Sequence, residues 1–424
     1  MNAATEVIAA VGAHLNEVYP MLPFTPVRGS GVFLEDASGR RVLDFYGGHA
    51  VAALGYGHRD LSEALARQSR DLVFQTNALP LRIRDEAADR LAAFGPAGLG
   101  RVFFVNSGAE ANENALRLAF RVTGRSKVIA MEHSFHGRTA AAAAVSFGAA
   151  KSWYGFPRTP FDVVFAPRND GAALAAAVDS STAAVIVEPV QGEGGVIPAD
   201  PDFLAGLRAL CDRNEALLIF DEVQCGLGRT GSLYAYHQYG VTPDILTLAK
   251  PLAAGLPLGA ALLSEKVATL LRPGQHGSTF SGGPAACAVG VHVFDAISDP
   301  DLLTHVTARG RQLRAGLEVL AASRLIDGAR GMGLMQALVV APRWKSAIPK
   351  IIQGARERGL LVTRAGDDAV RLLPPLTCSA QEVDEALAIL GETLVVAKIA
   401  ATKGATPRVA RNATRATNQR ERMK

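Results

Sequence analysis

The chain has 424 residues, 49% hydrophobic and 20% charged, the balance of a well-packed soluble enzyme and not of a disordered chain; the length calls for two domains or one large domain with appendages. The net charge of +4 is unevenly placed, because residues 403–424 set Lys403, Arg408, Arg411, Arg415, Arg420, Arg422 and Lys424 against Glu421, a balance of +6 that leaves the remainder at −2. A globally nucleic-acid-binding surface is therefore not indicated, and the basic character belongs to the tail. Cys211, Cys225, Cys287 and Cys378 are scattered, without a paired Cys motif or metal-like His spacing. The first residues lack a basic segment followed by an apolar one, so a reducing, cytoplasmic setting with no metal and no membrane is expected.

Residues 1–60 form an N-terminal segment punctuated by Pro20, Pro23, Pro26, Gly29, Gly31, Gly39, Gly47 and Gly48. Within it, 32–34 and 42–45 flank Asp36-Ala-Ser-Gly-Arg40 and read as a hairpin. From 61 to 285 the pattern turns α/β. Helical spacing at Leu61, Leu65 and Gln68 leads to a strand at 102–105, a helix over 110–121 and a strand at 127–131. Further apolar runs at 163–166, 184–187, 216–220 and 245–249 alternate with Ala/Leu-rich helical stretches. Such continuous apolar strands predict a mostly parallel sheet covered on both faces. Residues 286–400 read as a smaller α+β domain joined by the N-terminal segment, and 401–424 as a basic disordered tail.

Four of these runs end in polar residues: Asn106-Ser107-Gly108, Glu188, Asp221 and Lys250. Ligands of open α/β sheets sit outside the carboxyl ends of the strands, so the four endings outline a site. Ser107-Gly-Ala-Glu110 can be a helix capping box, a phosphate cradle at a helix N-terminus, or both. Asp221, at the end of an apolar strand, is either a helix N-cap or a carboxylate awaiting a cationic partner. Lys250, taken alone, is a strand-end lysine that snorkels to solvent; desolvated, it becomes a nucleophilic amine. Together, a lysine, an aspartate and an anion cup match the needs of pyridoxal phosphate.

Six ordered segments carry a resemblance: Asn106-Ser-Gly-Ala-Glu-Ala-Asn-Glu113, His133-Ser-Phe-His-Gly-Arg-Thr139, Glu188-Pro-Val-Gln-Gly-Glu-Gly-Gly195, Phe220-Asp-Glu-Val-Gln224, Thr247-Leu-Ala-Lys250 and Gly277-Ser-Thr-Phe280. From about residue 20 to 395 the chain resembles the class III, fold-type I pyridoxal-phosphate aminotransferases, most of all the subgroup acting on N-acetylornithine in arginine biosynthesis. The resemblance implies an α/β fold with a large cofactor domain and a small α+β domain, and a homodimer with shared active sites. It implies that Lys250 binds the cofactor covalently and carries the proton, and that Asp221 holds the pyridinium. Ser107, Gly108 and Ala109 would cup the phosphate, with Thr279 reaching the neighbouring subunit's cofactor. Phe135 would stack on the ring, and Glu222, Val223 and Gln224 would complete the cofactor site, Gln224 near the phenolic oxygen.

The same resemblance makes Arg138 and Arg371 the carboxylate forks. Arg138 would hold the α-carboxylate of acetylornithine and then the distal carboxylate of 2-oxoglutarate, while Arg371 would hold the α-carboxylate of glutamate. Glu193 would cover Arg371 whenever the reacting carbon bears no carboxylate. Ser278 and Tyr19 would touch substrate. His49 stands where acetylornithine enzymes usually carry an aliphatic residue and ornithine δ-aminotransferases a tyrosine. Gly255-Leu-Pro-Leu-Gly259 lacks the extra tyrosine of the ornithine enzymes. Succinylornithine, acyl-lysine, ornithine and 4-aminobutyrate transaminases, or an aminomutase, are the alternatives within the cofactor class. Outside it, the basic tail suggests a non-catalytic nucleic-acid-binding or scaffold protein.

Overall fold

The computed structural model describes residues 14–404, except 17, 94, 96–97 and 322–325, with side chains described as far as 396. Residues of the basic tail past 404 lie outside the described residues, as do the first thirteen. Strands β1 (Pro26–Ser30), β2 (Phe33–Asp36) and β3 (Arg41–Asp44) form an antiparallel meander. Its second turn is tied by Asp36, whose Oδ1 accepts from the Ser38 and Arg40 N–H groups, an Asx turn of the kind that the Asp-Ala-Ser-Gly sequence favours.

The central sheet comprises β4 (Arg101–Val105), β5 (Lys127–Met131), β6 (Asp162–Ala166) and β7 (Thr182–Val187). After a two-stranded ribbon, β8 (Val190–Gln191) and β9 (Ile197–Pro198), the sheet adds β10 (Leu217–Asp221), β11 (Ile245–Leu248) and β12 (Gly259–Leu263). The spatial order is β4-β12-β11-β10-β7-β5-β6. From β11 to β6 every neighbour is parallel, whereas β12 runs antiparallel to both β11 and β4. The β12 strand is the one sheet member that the apolar pattern did not anticipate. Every residue of β7, β10, β11 and β12 is buried. Period-two alternation sends Val185, Val187, Leu218, Phe220, Leu246 and Leu248 to one core and Ala184, Ile186, Leu217, Ile219 and Ile245 to the other. Both faces are therefore covered, which is why these strands read as unbroken apolar runs.

Beyond the helix Pro284–Ile297, β13 (Ile326–Met332), β14 (Met335–Val340), β15 (Leu360–Leu361), β16 (Thr363–Ala365) and β17 (Ala369–Leu372) follow. Four of them form an antiparallel sheet ordered β13-β14-β17-β16, while β15 pairs in parallel with β3. The two chain ends are stitched further by Leu43 N to Gly359 O at 2.7 Å, Phe45 N to Leu361 O at 3.0 Å and Leu373 N to Phe45 O at 2.6 Å. The helix Ala380–Gly404 closes the described chain. Among the described residues no helix is long and apolar enough to cross a membrane.

Candidate active site

The parallel strands deliver their polar endings to a cleft of about 440 Å³, whose lining includes Ser107, Gly108, Ala109, Phe135, Arg138, Glu188, Glu193, Asp221, Val223, Gln224 and Lys250. Parallel register between β10 and β11 sets Asp221 beside Thr247, three residues before Lys250. The lysine opens a 3-10 turn, Lys250–Ala253, with Pro251 directly after it. Burial pushes its ammonium below the ordinary lysine value, against the opposing charges of Asp221 and Glu193. A lysine so placed is closer to a free nucleophilic amine than one at the surface.

Asp221 is 3% exposed. Its Oδ2 accepts from Asn112 Nδ2 at 2.7 Å and lies 2.7 Å from His136 Nδ1, while Oδ1 accepts from the Val223 N–H at 2.9 Å. Asn112 also donates to the His136 carbonyl and accepts from Thr247 Oγ1 at 2.7 Å. A carboxylate offers about four acceptor positions; three are used here, and one oxygen keeps capacity for a cationic N–H. Sequence reading had assigned no role to Asn112, His136 or Thr247, although all three lie inside the quoted motifs. A buried carboxylate must be hydrogen-bonded, and that rule was the available signal.

Ser107 is the N-cap of the helix Gly108–Thr123, its Oγ accepting from the Glu110 N–H at 3.2 Å. Glu110 turns back to the Asn106 N–H at 2.8 Å, one residue earlier than a standard capping box. Helix geometry leaves the N–H groups of Gly108 and Ala109 without intrahelical acceptors, at the positive end of a helix of sixteen residues. A Cβ at Gly108 would sit 2.5 Å from Val223 Cγ1, so only glycine lets the cup rest on Val223. Capping and anion cradle therefore coexist. Phe135 is half-buried and hangs from Glu188, whose Oε1 accepts from its N–H at 3.1 Å and whose Oε2 accepts from the Gly192 N–H at 3.0 Å. Burial pushes the Glu188 carboxyl above the usual range, with His136 opposing.

Arg138 is exposed at the mouth, its guanidinium 5.5 Å from the Phe135 ring centre and 4.8 Å from that of Trp153. Arg371, on β17, is fully buried. Its Nη1 donates to Glu193 Oε1 at 2.7 Å and Gln224 Oε1 at 2.9 Å, its Nη2 to His49 Nδ1 at 3.1 Å, and its Nε has no partner among the described residues. The Glu193 carboxyl is held well below the usual carboxylate range despite its burial, and the bond donated by Arg371 Nη1 is among the causes. His49 reaches this cluster through a left-handed turn in which Gly47, Gly48, His49 and Ala50 have φ of 56°, 54°, 60° and 73°. A Cβ on Gly47 would lie 2.4 Å from the Leu373 carbonyl oxygen. For the two residues that carry a Cβ, such a backbone costs about 1–2 kcal/mol each.

Not every expected residue lines the cleft. Glu222, though next to Asp221, points the other way and accepts from the Ala235 and Tyr236 N–H groups at 2.6 and 2.8 Å; burial pushes its carboxyl up to about 8. Tyr19 is 72% exposed and outside the cleft lining. Ser278 Oγ accepts from Asn106 Nδ2 at 2.8 Å, behind the cup, and Thr279 beside it is exposed. Among the described residues no cluster could hold a metal ion.

A lysine, a carboxylate with spare acceptor capacity and a helix N-terminus around one cleft define a site for imine chemistry on an anionic, ring-nitrogen cofactor. The chain belongs to the aminotransferase class-III family, which it matches over residues 15–394. It is 42% identical over 388 residues to an acetylornithine aminotransferase of Neisseria meningitidis serogroup B, covering 90% of this chain and 97% of that one. A succinylornithine transaminase of Salmonella enteritidis is 44% identical over 378 residues, covering 86% and 91%. Among solved structures, a Toxoplasma gondii ornithine aminotransferase with pyridoxal phosphate at partial occupancy superposes with a TM-score of 0.87 at 30% identity, covering 94% of this chain and 96% of that one.

Proposed function

We propose that the protein is a pyridoxal-phosphate aminotransferase that moves the amino group of N-acetylornithine to 2-oxoglutarate, giving N-acetylglutamate 5-semialdehyde and glutamate in arginine biosynthesis. One observation carries this reading: Lys250, Asp221 and the Ser107–Ala109 cup meet in a cleft that is also lined by Arg138 and by Glu193 and Gln224, the two residues that cover the buried guanidinium of Arg371. The similarity to acetylornithine aminotransferases over most of both chains supports the donor.

Bound pyridoxal phosphate supplies an electrophilic carbon and an electron sink. Lys250 would hold it covalently and, once freed, accept and return the proton at the reacting carbon. Asp221, oriented by Asn112 and His136, would keep the ring nitrogen protonated. The N–H groups of Gly108 and Ala109, with Ser107, would hold its phosphate; Phe135 and Val223 would flank the ring, with Gln224 near its phenolic edge. Arg138 would bind the carboxylate far from the reacting carbon of either substrate. Glu193 would neutralise Arg371 during the acetylornithine half and yield it to the α-carboxylate of glutamate in the other.

A homodimer with shared active sites is part of this reading. It is supported by the exposed Phe280, next to Thr279, whose ring centre lies 5.2 Å from that of the likewise exposed Phe74. Four buried, unpaired thiols support a cytoplasmic location. A second reading, with succinylornithine as donor, is favoured by the Salmonella relative. Half-reaction spectra of the holoenzyme with acetylornithine, succinylornithine, ornithine, acyl-lysine and 4-aminobutyrate separate these readings. Acetylornithine should be processed with the highest efficiency, and the cofactor's visible band should be lost in Lys250→Ala. A band unchanged in that variant would sink the mechanism.

A further inference from the structure

The Arg371 cluster contains a group that the exchange of Glu193 for a substrate carboxylate leaves unexplained. His49 Nδ1 lies 3.1 Å from Arg371 Nη2 and 3.6 Å from Glu193 Oε1. A guanidinium only donates, so at 3.1 Å the imidazole nitrogen must accept, which requires a neutral ring with its proton on Nε2. In that arrangement the cluster is balanced, one cation on Arg371 against one anion on Glu193. A second carboxylate would leave the one buried guanidinium to serve two anions, with the half-exposed His49 ring the nearest group able to add a positive charge.

We propose that His49 is the charge compensator of this site and takes up a proton when a substrate carboxylate replaces Glu193 on Arg371. The inference rests on the aminotransferase reading given above and specifies which half of the reaction is pH-sensitive. Protonated, Nδ1 can no longer face Arg371; it becomes a donor, and the Glu193 carboxylate is already 3.6 Å away. The ring thus changes partner as it changes charge, holding the displaced Glu193 while Arg371 turns to the newcomer. A donor whose reacting carbon bears no carboxylate leaves Glu193 on Arg371 and gives His49 no reason to ionise.

The surroundings set the direction of the effect. His49 faces Arg371 on β17 and Glu193 on the β8–β9 connection, and its ring meets Tyr46 of its own turn edge-on at 4.7 Å. The Lys250–Ala253 turn packs against the same segment, and Asp44 ties down its start through the Tyr46 and Gly47 N–H groups. Arg371 and Lys250 oppose a proton on His49, while Glu193 favours one. An added carboxylate therefore tips the balance toward uptake. The left-handed backbone that carries His49 fixes the ring on the cluster and explains why a strained turn is worth keeping there.

The test uses the holoenzyme with glutarate, a dicarboxylate that cannot react, and butyrate, which lacks the second carboxylate. Calorimetric titration in buffers of different ionisation enthalpy counts the protons taken up, and the visible band follows protonation at Lys250 separately. Wild type should take up a proton fraction with glutarate between pH 7 and 8 and bind it at least about fivefold more weakly at pH 8 than at pH 6, the lower end of ordinary site coupling. Butyrate should show neither effect. His49→Asn, chosen because asparagine tolerates the left-handed conformation, should bind glutarate with no uptake beyond that seen at Lys250 and with a pH profile no steeper than that uptake requires. Glutarate binding without proton uptake, or uptake persisting in H49N, would overturn the proposal and leave the aminotransferase reading intact. Failure of glutarate to bind at any pH would instead overturn the assignment of Arg371 as a carboxylate fork, and the proposal with it.

Discussion

Gly108→Ala probes the contact on which the anion cup rests. The added methyl would stand 2.5 and 2.9 Å from the two Val223 methyls and 3.3 Å from Val223 Cβ. The closest approach falls about 0.9 Å short of the 3.4 Å at which ordinary contact begins. Rotation about χ1 can carry one Val223 methyl away but leaves Cβ at 3.3 Å, and any shift of the backbone would strain the bond from its N–H to Asp221 Oδ1. Overpacking of this kind costs about 1–3 kcal/mol, against which the better helix propensity of alanine returns at most about 1 kcal/mol. The net loss is at most about 3 kcal/mol, and since Val223 lines the cleft, pyridoxal-phosphate affinity should fall about tenfold, equivalent to about 1.4 kcal/mol. Val223→Ala removes both clashing methyls. In the double variant the cofactor affinity lost to G108A should return, giving a coupling energy of about 1–2 kcal/mol in a cycle followed by thermal unfolding and equilibrium cofactor titration. Strict additivity of the two substitutions, or an unaltered cofactor affinity in G108A, would refute the argument.

Three further outcomes follow from the site. Asp221→Asn removes the charge held by Asn112 and His136; kcat should fall about 10²–10³-fold, and a loss under tenfold would contradict its role at the ring nitrogen. Arg371→Lys keeps a cation but not the fork that serves Glu193, Gln224 and His49 together; KM for glutamate and 2-oxoglutarate should rise about tenfold or more, with the amine-donor half-reaction much less affected, and equal damage to both halves would count against the division of labour. Glu222 bears on stability. Its folded carboxyl is raised by burial to about 8 from an ordinary 4.5, so between these values the folded state keeps a proton that the unfolded state has lost. Stability from this group is therefore present below pH 4.5 and declines as pH rises toward 8, by about 1.4 kcal/mol per unit. Denaturant titrations should show wild type losing stability over that interval more steeply than Glu222→Gln by close to one proton; parallel slopes would exclude it.

Much of this arrangement was legible in the chain because the central strands are buried on both faces, so that composition alone marks 127–131, 184–187 and 216–220 to within a residue or two. The strand-end rule then gathered Ser107, Glu188, Asp221 and Lys250 on one edge. Strand β12 escaped because Gly259-Ala-Ala-Leu-Leu263 lacks β-branched residues and follows a Gly/Pro loop, so that its place between β4 and β11 is decided by packing and not by propensity. The support of Asp221 by His136 and Asn112 joins residues 85 and 109 positions distant, and no local pattern announces it. Glu222 shows the opposite failure: the resemblance of its motif put it in the cofactor site with Asp221, whereas its side chain accepts from the backbone N–H groups of Ala235 and Tyr236, away from the cleft. The meeting of His49 with Arg371 spans 322 positions and needs both the left-handed turn and the pairing of the two chain ends.

That pairing has a consequence for how the molecule is made. The sheet strands between residues 101 and 263, which lead to Lys250, Asp221 and the cup, pair only with one another, so their hydrogen bonding needs no later strand, although one face of the sheet is covered by later residues such as Phe294 and Ile297. The meander of β1 to β3 is synthesised first, yet the open edge of β3 finds its parallel partner only when Leu360 and Leu361 emerge. Until then the segment bearing His49 waits with an unpaired strand edge, the kind of surface that invites association with the wrong partner. The strand pairing behind Lys250 and Asp221 is thus available early in synthesis, whereas the cluster around Arg371 is completed only when β17 has been made.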